Sequence, residues 1–165
     1  MGRRKKDFDT EELELGRQKA PWLQRIAASR RGMAATAHYK ATEAAAAVLR
    51  EGGNAVDAAV TAAFVLGVCE PAASGLGGQT MALIYLKGTK RTIALDGSSR
   101  APHRVPPGEL EKKELLRGHR ATTVPSTPAV LGYLLETYGS ISLARALAPS
   151  IELAEEGFRL SLIHI

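Results

Sequence analysis

The sequence predicts a domain of the α/β class in its broad, α+β sense: two helices, a hairpin, then more helices. Three observations carry that expectation. Two alanine-rich helical stretches, "KATEAAAAVLRE" and "NAVDAAVTAAFVLGVCE", are separated only by Gly52-Gly53. A continuous apolar run, "TMALIYL", is turned by "KGTK" into "RTIAL", the pattern of a β-hairpin. Helical composition then returns in "PSTPAVLGYLLETYG" and "SLARALAPSIELAEEG". Apolar residues make up 45% of the 165 positions but aromatics only 5%, so small side chains must build the core. That favours close helix contacts over an aromatic-lined binding face.

Taken in order, residues 1–31 read as a basic N-terminal extension with a short helix around "TEELELGRQ". Met33 to Ala37 reads as a short buried strand. The helix after it is stopped by Gly52-Gly53, whose lack of a Cβ permits the left-handed exit. Asn54 caps the next helix, with Asp57 three residues on at the positive end of the dipole. Val56, Val60, Ala63 and Gly67 give that helix a narrow face of small residues. Pro71 closes it by about Glu70. After the hairpin, "DGSSRAPHRVPPGE" is loop, "ELEKKELLRG" a short charged helix and "ATTV" a brief strand. The next helix has Pro128 in its first turn and Gly139 at its end. The last is broken or kinked at Pro149 and stopped by Gly157.

Composition excludes several classes. The net charge of +5 is concentrated at the start, where residues 1–31 hold nine Lys/Arg against five Asp/Glu. Residues 32–165 hold thirteen against twelve, so no basic face is spread over the folded part. Nucleic acid is therefore not an expected partner, and "RRKK" reads as a solvated tail. A non-enzymatic module using this basic terminus is the remote alternative. No apolar run reaches eighteen residues, so no membrane span is expected. A basic start without an apolar segment behind it gives no export signal, which leads to a cytoplasmic expectation. One cysteine, Cys69, allows neither an internal disulfide nor a cysteine-based zinc cluster.

The glycine cluster "SGLGGQ" raises the sharper question, whether it cradles a ligand or lets backbones pass closely. Phosphate loops run strand, glycines, helix. Here the order is helix, glycines, strand, which favours close backbone packing. Cys69 lies at a helix end beside Glu70 and Pro71, where a thiol gains no activation and reads as a small buried group. His38, His103, His119 and His164 show no metal-ligand spacing and read as capping or surface residues. Arg100, in "LDGSSRAP", either offers its guanidinium fork to a carboxylate or is one more exposed charge.

Over residues 32–158 the chain resembles the gamma-glutamyltranspeptidase family. The resemblance rests on "GMAATAHYKATEAAAAVLREGGNAVDAAVTAAFVLGVCEPAASGLGG", "IALDGSSRAP" and "VPSTPAVLGYLLETYGSISLARALAPSIELAEEGF", in that order. Its specific part is GGNAVDAA followed by EP..SG.GG. The resemblance implies an N-terminal-nucleophile hydrolase with a four-layer αββα sandwich, of which only the N-terminal part is present. It also implies a precursor that cuts itself into a large and a small subunit. The threonine exposed by that cut attacks a γ-glutamyl amide such as glutathione, and water or an amino acid takes the acyl group.

This chain matches the beginning of the large subunit, so no residue in it receives a catalytic role, and no metal or cofactor is implied. The partner implied is the missing C-terminal part, including the small subunit. The ending "SLIHI", within residues 159–165, reads as a truncated or non-native tail. The family holds the substrate's α-carboxylate with an arginine in a motif like D-x-R-E-x-A-P. In Asp96-Gly97-Ser98-Ser99-Arg100-Ala101-Pro102 that position holds Ser98, and Arg100, two places on, is the candidate substrate-binding residue. The departure resembles the acylase-like branch, making an acylase of other amides, such as β-lactam side chains, the alternative function.

Overall fold

A computed structural model describes residues 27–104, 108 and 111–159. The expected helix around "TEELELGRQ" and the tail "SLIHI" lie outside the described residues. Residues 27–33 belong to a separate unit, in which the Ser29 hydroxyl accepts from the N–H groups of Arg31 and Gly32. From Ala34 onward the described residues form one compact unit. Among the described residues its elements are α1 (Tyr39–Arg50), α2 (Ala55–Cys69), β1 (Thr80–Leu86), β2 (Arg91–Gly97), a 3-10 turn (His119–Ala121), α3 (Thr127–Tyr138) and α4 (Leu143–Glu156).

Helix α1 starts at Tyr39 because the buried His38 caps it, accepting from Lys40 N–H at 3.2 Å. It ends where expected: Gly52 takes φ +94° and Gly53 N–H returns to the Val48 carbonyl at 3.0 Å. Asn54 then builds a full capping box. Its side chain accepts from Val56 and Asp57 N–H, while Asp57 accepts from Asn54 N–H at 2.8 Å.

The expected single face of small residues on α2 proves too narrow. The helix is buried on nearly every side, as an all-round apolar sequence requires. Ala58, Ala62, Val65 and Cys69 pack against Ala41, Ala45 and Val48 of α1. Val56, Val60 and Phe64 pack against Leu131, Leu134 and Leu135 of α3 and Ala146 of α4. The inner face of the hairpin, through Ala82, Ile84 and Leu95, closes that second cluster.

β1 and β2 pair antiparallel from Thr80↔Gly97 to Leu86↔Arg91, as the sequence predicts, with the turn's Lys90 at φ +53°. Four other expectations give way. Met33–Ala37 joins no strand, because among the described residues the sheet consists of the hairpin alone and offers it no partner. Thr36 instead donates to the His38 carbonyl and meets Thr42 Oγ1 at 2.7 Å, building the approach to α1. The described part of "ELEKKELLRG" makes turns rather than a helix. Leu115 and Leu116 there are exposed, so no apolar face supports one, and Glu114 folds back to accept from Glu111 N–H and Arg120. "ATTV" contributes a single antiparallel bridge between Val124 and Arg100. Helix α4, finally, runs unbroken through Pro149. Among the described residues no helix is long and apolar enough to cross a membrane.

Candidate substrate-side groove

Three loops meet where β1 begins, β2 ends and α3 starts. The glycine-rich segment leaves α2 and passes close to it: a Cβ on Gly67 would sit 3.5 Å from Gly75 Cα. The Gly78 carbonyl then accepts from Ser126 N–H at 3.0 Å and Thr127 N–H at 3.3 Å. Those are donors from the first turn of α3, so the glycine loop occupies the helix end that would otherwise attract an anion. The Thr80 and Thr127 hydroxyls lie 2.9 Å apart beside them. The glycines thus serve close backbone passage, the second of the two readings that the sequence left open.

The exit of β2 is held from the same side. The Ser126 hydroxyl donates to the Gly97 carbonyl. Gly97 is buried, and a side chain there would collide with the Thr80 carbonyl and the Val130 methyl. Beyond it the loop is fastened residue by residue. Ser98 donates to Asp96 Oδ1 through both its N–H (2.9 Å) and its hydroxyl (2.6 Å). Ser99 N–H donates to Gln79 Oε1 at 3.1 Å. Arg100 exchanges backbone hydrogen bonds with Val124, at 3.4 Å and 2.8 Å.

This loop rims an open groove of about 430 Å³ between β2 and α3. Leu95, Val124 and Val130 supply apolar wall, and Asp96, Ser98 and Arg100 supply the polar side. The hydroxyl and N–H of Ser98 hold the Asp96 carboxyl below the ordinary carboxylate range, with a smaller pull from the Arg100 charge. Ser98 is therefore already engaged by an anion, and the exposed Arg100 is among the residues that line the groove. Gln79 and Ser126 also hold this loop, and sequence reasoning named neither, because their partners lie 20 and 29 residues away and leave no local signature.

The remaining candidates take structural places. Cys69 is fully buried and unpaired, and burial pushes its thiol up, against the opposing charge of Lys40. His38 caps α1 and stacks at 4.8 Å on Tyr39, with Phe158 edge-on at 5.7 Å. His103 and His119 are exposed, and His164 lies outside the described residues.

Known proteins resemble the chain in sequence and in fold. The sequence profile of the gamma-glutamyltranspeptidase family matches residues 41–163. A glutathione hydrolase proenzyme of Bacillus subtilis (strain 168) is 40% identical over 135 residues, covering 77% of this chain and 23% of the relative. The crystal structure of Helicobacter pylori gamma-glutamyltranspeptidase superposes with a TM-score of 0.79 at 36% identity, covering 84% of this chain and 42% of that one. A cephalosporin acylase from Bacillus halodurans superposes at 0.68 and 33% identity, covering 83% and 27%. The chain spans about a quarter of the length of the curated relatives it matches.

Proposed function

The chain belongs to the gamma-glutamyltranspeptidase family, and from that premise we propose that it forms the opening part of the large subunit of a self-processing γ-glutamyl amidohydrolase. The fold is that family's αββα sandwich, of which the described residues supply helices and two strands. In the reading proposed here, the nucleophilic threonine and its oxyanion donors come from sequence outside this chain. The chain's own contribution is the substrate-side rim: Arg100 pairs with the α-carboxylate of a γ-glutamyl group such as that of glutathione. The observation that carries this reading is the Asp96–Arg100 loop, fastened at each residue and placing the exposed Arg100 at the rim of a groove.

The test uses the full-length enzyme that carries this segment and a chromogenic γ-glutamyl anilide. A charge-assisted pair contributes about 1.5–3 kcal/mol. Arg100→Ala is therefore expected to raise KM by about tenfold or more while kcat changes little. An unchanged KM removes Arg100 from the site. The 165-residue chain by itself is expected to give no turnover, and reproducible activity from it would overturn the division of labour proposed here.

One observation favours a second reading, an acylase acting on other amides. Ser98 stands where the family motif carries its arginine, and it is tied to Asp96 rather than open to a substrate anion. If the parent enzyme prefers amides without an α-carboxylate, glutaryl anilides outrun γ-glutamyl anilides, and Ser98→Arg shifts the preference back.

A further inference from the structure

We infer that Gln79 is a positioning residue for the Ser98–Arg100 loop, holding the substrate-side rim in register through the Ser99 peptide. The inference rests on the proposed reading of that loop as part of an amide-substrate site. Three successive residues of the loop each have one holder: Ser98 has Asp96, Ser99 has Gln79 and Arg100 has Val124. The first holder belongs to the loop's own strand, and the third acts through backbone. Gln79 is the one that reaches in by a side chain from another element, across 20 residues of sequence.

The anchor itself is well founded. Gln79 follows Gly78, whose carbonyl is fixed by two N–H groups of the α3 start, and precedes Thr80, whose hydroxyl meets Thr127. The amide oxygen is thus presented to the Ser99 N–H from a backbone fixed on both sides. Gln79 is exposed and belongs to neither apolar cluster, so its removal frees the Ser99 N–H without opening the core. What it changes is the placement of the next residue, Arg100. A guanidinium fork that must meet a carboxylate in two parallel hydrogen bonds is sensitive to small displacements.

The experiment compares Gln79→Met, which keeps length and loses the acceptor, with Gln79→Glu, which keeps an acceptor for the Ser99 N–H. Both are made in the full-length enzyme and assayed on a γ-glutamyl anilide. About 1 M salt screens the added charge, since the Debye length is then about 3 Å. Loss of one hydrogen bond corresponds to a rise in KM of about threefold to tenfold for Gln79→Met, with kcat within about twofold. Gln79→Glu is expected to return KM to within about twofold of the parent. Both variants should melt at the parent's temperature. An unaltered KM in Gln79→Met overturns the inference. So does a Gln79→Glu enzyme as impaired as Gln79→Met, or a loss that tracks a lowered melting temperature. If the parent turns over neither γ-glutamyl nor glutaryl anilide, the reading of the site itself fails and takes this inference with it. Turnover with a KM indifferent to residue 79 sinks the inference alone.

Discussion

Asp57 is fully buried, yet both of its carboxylate oxygens are occupied by donors from two parts of the chain. Oδ1 accepts from Ser140 N–H at 2.7 Å and Ile141 N–H at 3.3 Å; Oδ2 accepts from Asn54 N–H at 2.8 Å and the Ser140 hydroxyl at 2.6 Å. Burial pushes this carboxyl up, but the Ser140 hydroxyl and the three N–H groups together outweigh it and hold its pKa below the ordinary 3.8. A depressed folded pKa stabilises the fold above the unfolded value, and that stabilisation is lost as pH falls through the folded one. Urea midpoints should therefore drop as pH falls below about 4, and Asp57→Asn should flatten that drop. At neutral pH the same change sets an amide NH2 against the Asn54 N–H. The expected cost is about 1–3 kcal/mol, read from urea denaturation. A variant as stable and as acid-sensitive as the parent would contradict this account. Gly97 gives a steric counterpart. The neighbour that a methyl group there would strike includes backbone, the Thr80 carbonyl, so Gly97→Ala is expected to cost about 1–3 kcal/mol by the same measurement.

At the scale of elements, the junctions between helices matter more than the helices' own propensities. Asn54 begins α2 and also donates from Nδ2 to the Tyr138 carbonyl at 2.8 Å, so one side chain closes the start of α2 and the end of α3. Asn54→Ala should lose about 1–2 kcal/mol, toward the upper end of capping effects, and Asn54→Asp should recover the cap but not the bond to Tyr138. Chemical denaturation of the pair separates the two contributions. The same junctions explain why some elements were legible in the sequence. The stop at Gly52-Gly53, the Asn54 cap and the hairpin turn are written in neighbouring residues. The strand expected at Met33–Ala37 needed a partner strand, and local composition carries no information about one. The helix expected in "ELEKKELLRG" had propensity but no apolar stripe to bury, and propensity alone does not hold so short a helix in water. Pro149 misled in the opposite direction. Among the described residues α4 is not broken there, with Ala146 packed into the core three positions before the proline.

For the whole molecule, what the sheet covers and what it leaves open sets the last expectation. Alternation along the hairpin turns Ala82, Ile84 and Leu95 toward the helices, and leaves Met81, Leu83 and Tyr85 on the other face at 64%, 76% and 63% exposure. An αββα sandwich packs its two sheets face to face, and the chain spans about a quarter of the relatives' length. The loop carrying Arg100 was legible as a motif, while the groove it rims came from contacts between Gly97 and Ser126 and between Ser99 and Gln79, far apart in sequence. A paired substitution, Leu83→Lys with Tyr85→Lys, should act with opposite sign in two contexts. In the 165-residue chain alone, the open face should drive association, seen as excess mass in light scattering and as binding of a hydrophobic dye, and the two lysines should relieve both. In the full-length enzyme the same lysines would be buried without partners, costing several kcal/mol and lowering soluble, self-processed product. If the substitution leaves maturation of the full-length enzyme intact, that face is not the one the second sheet covers.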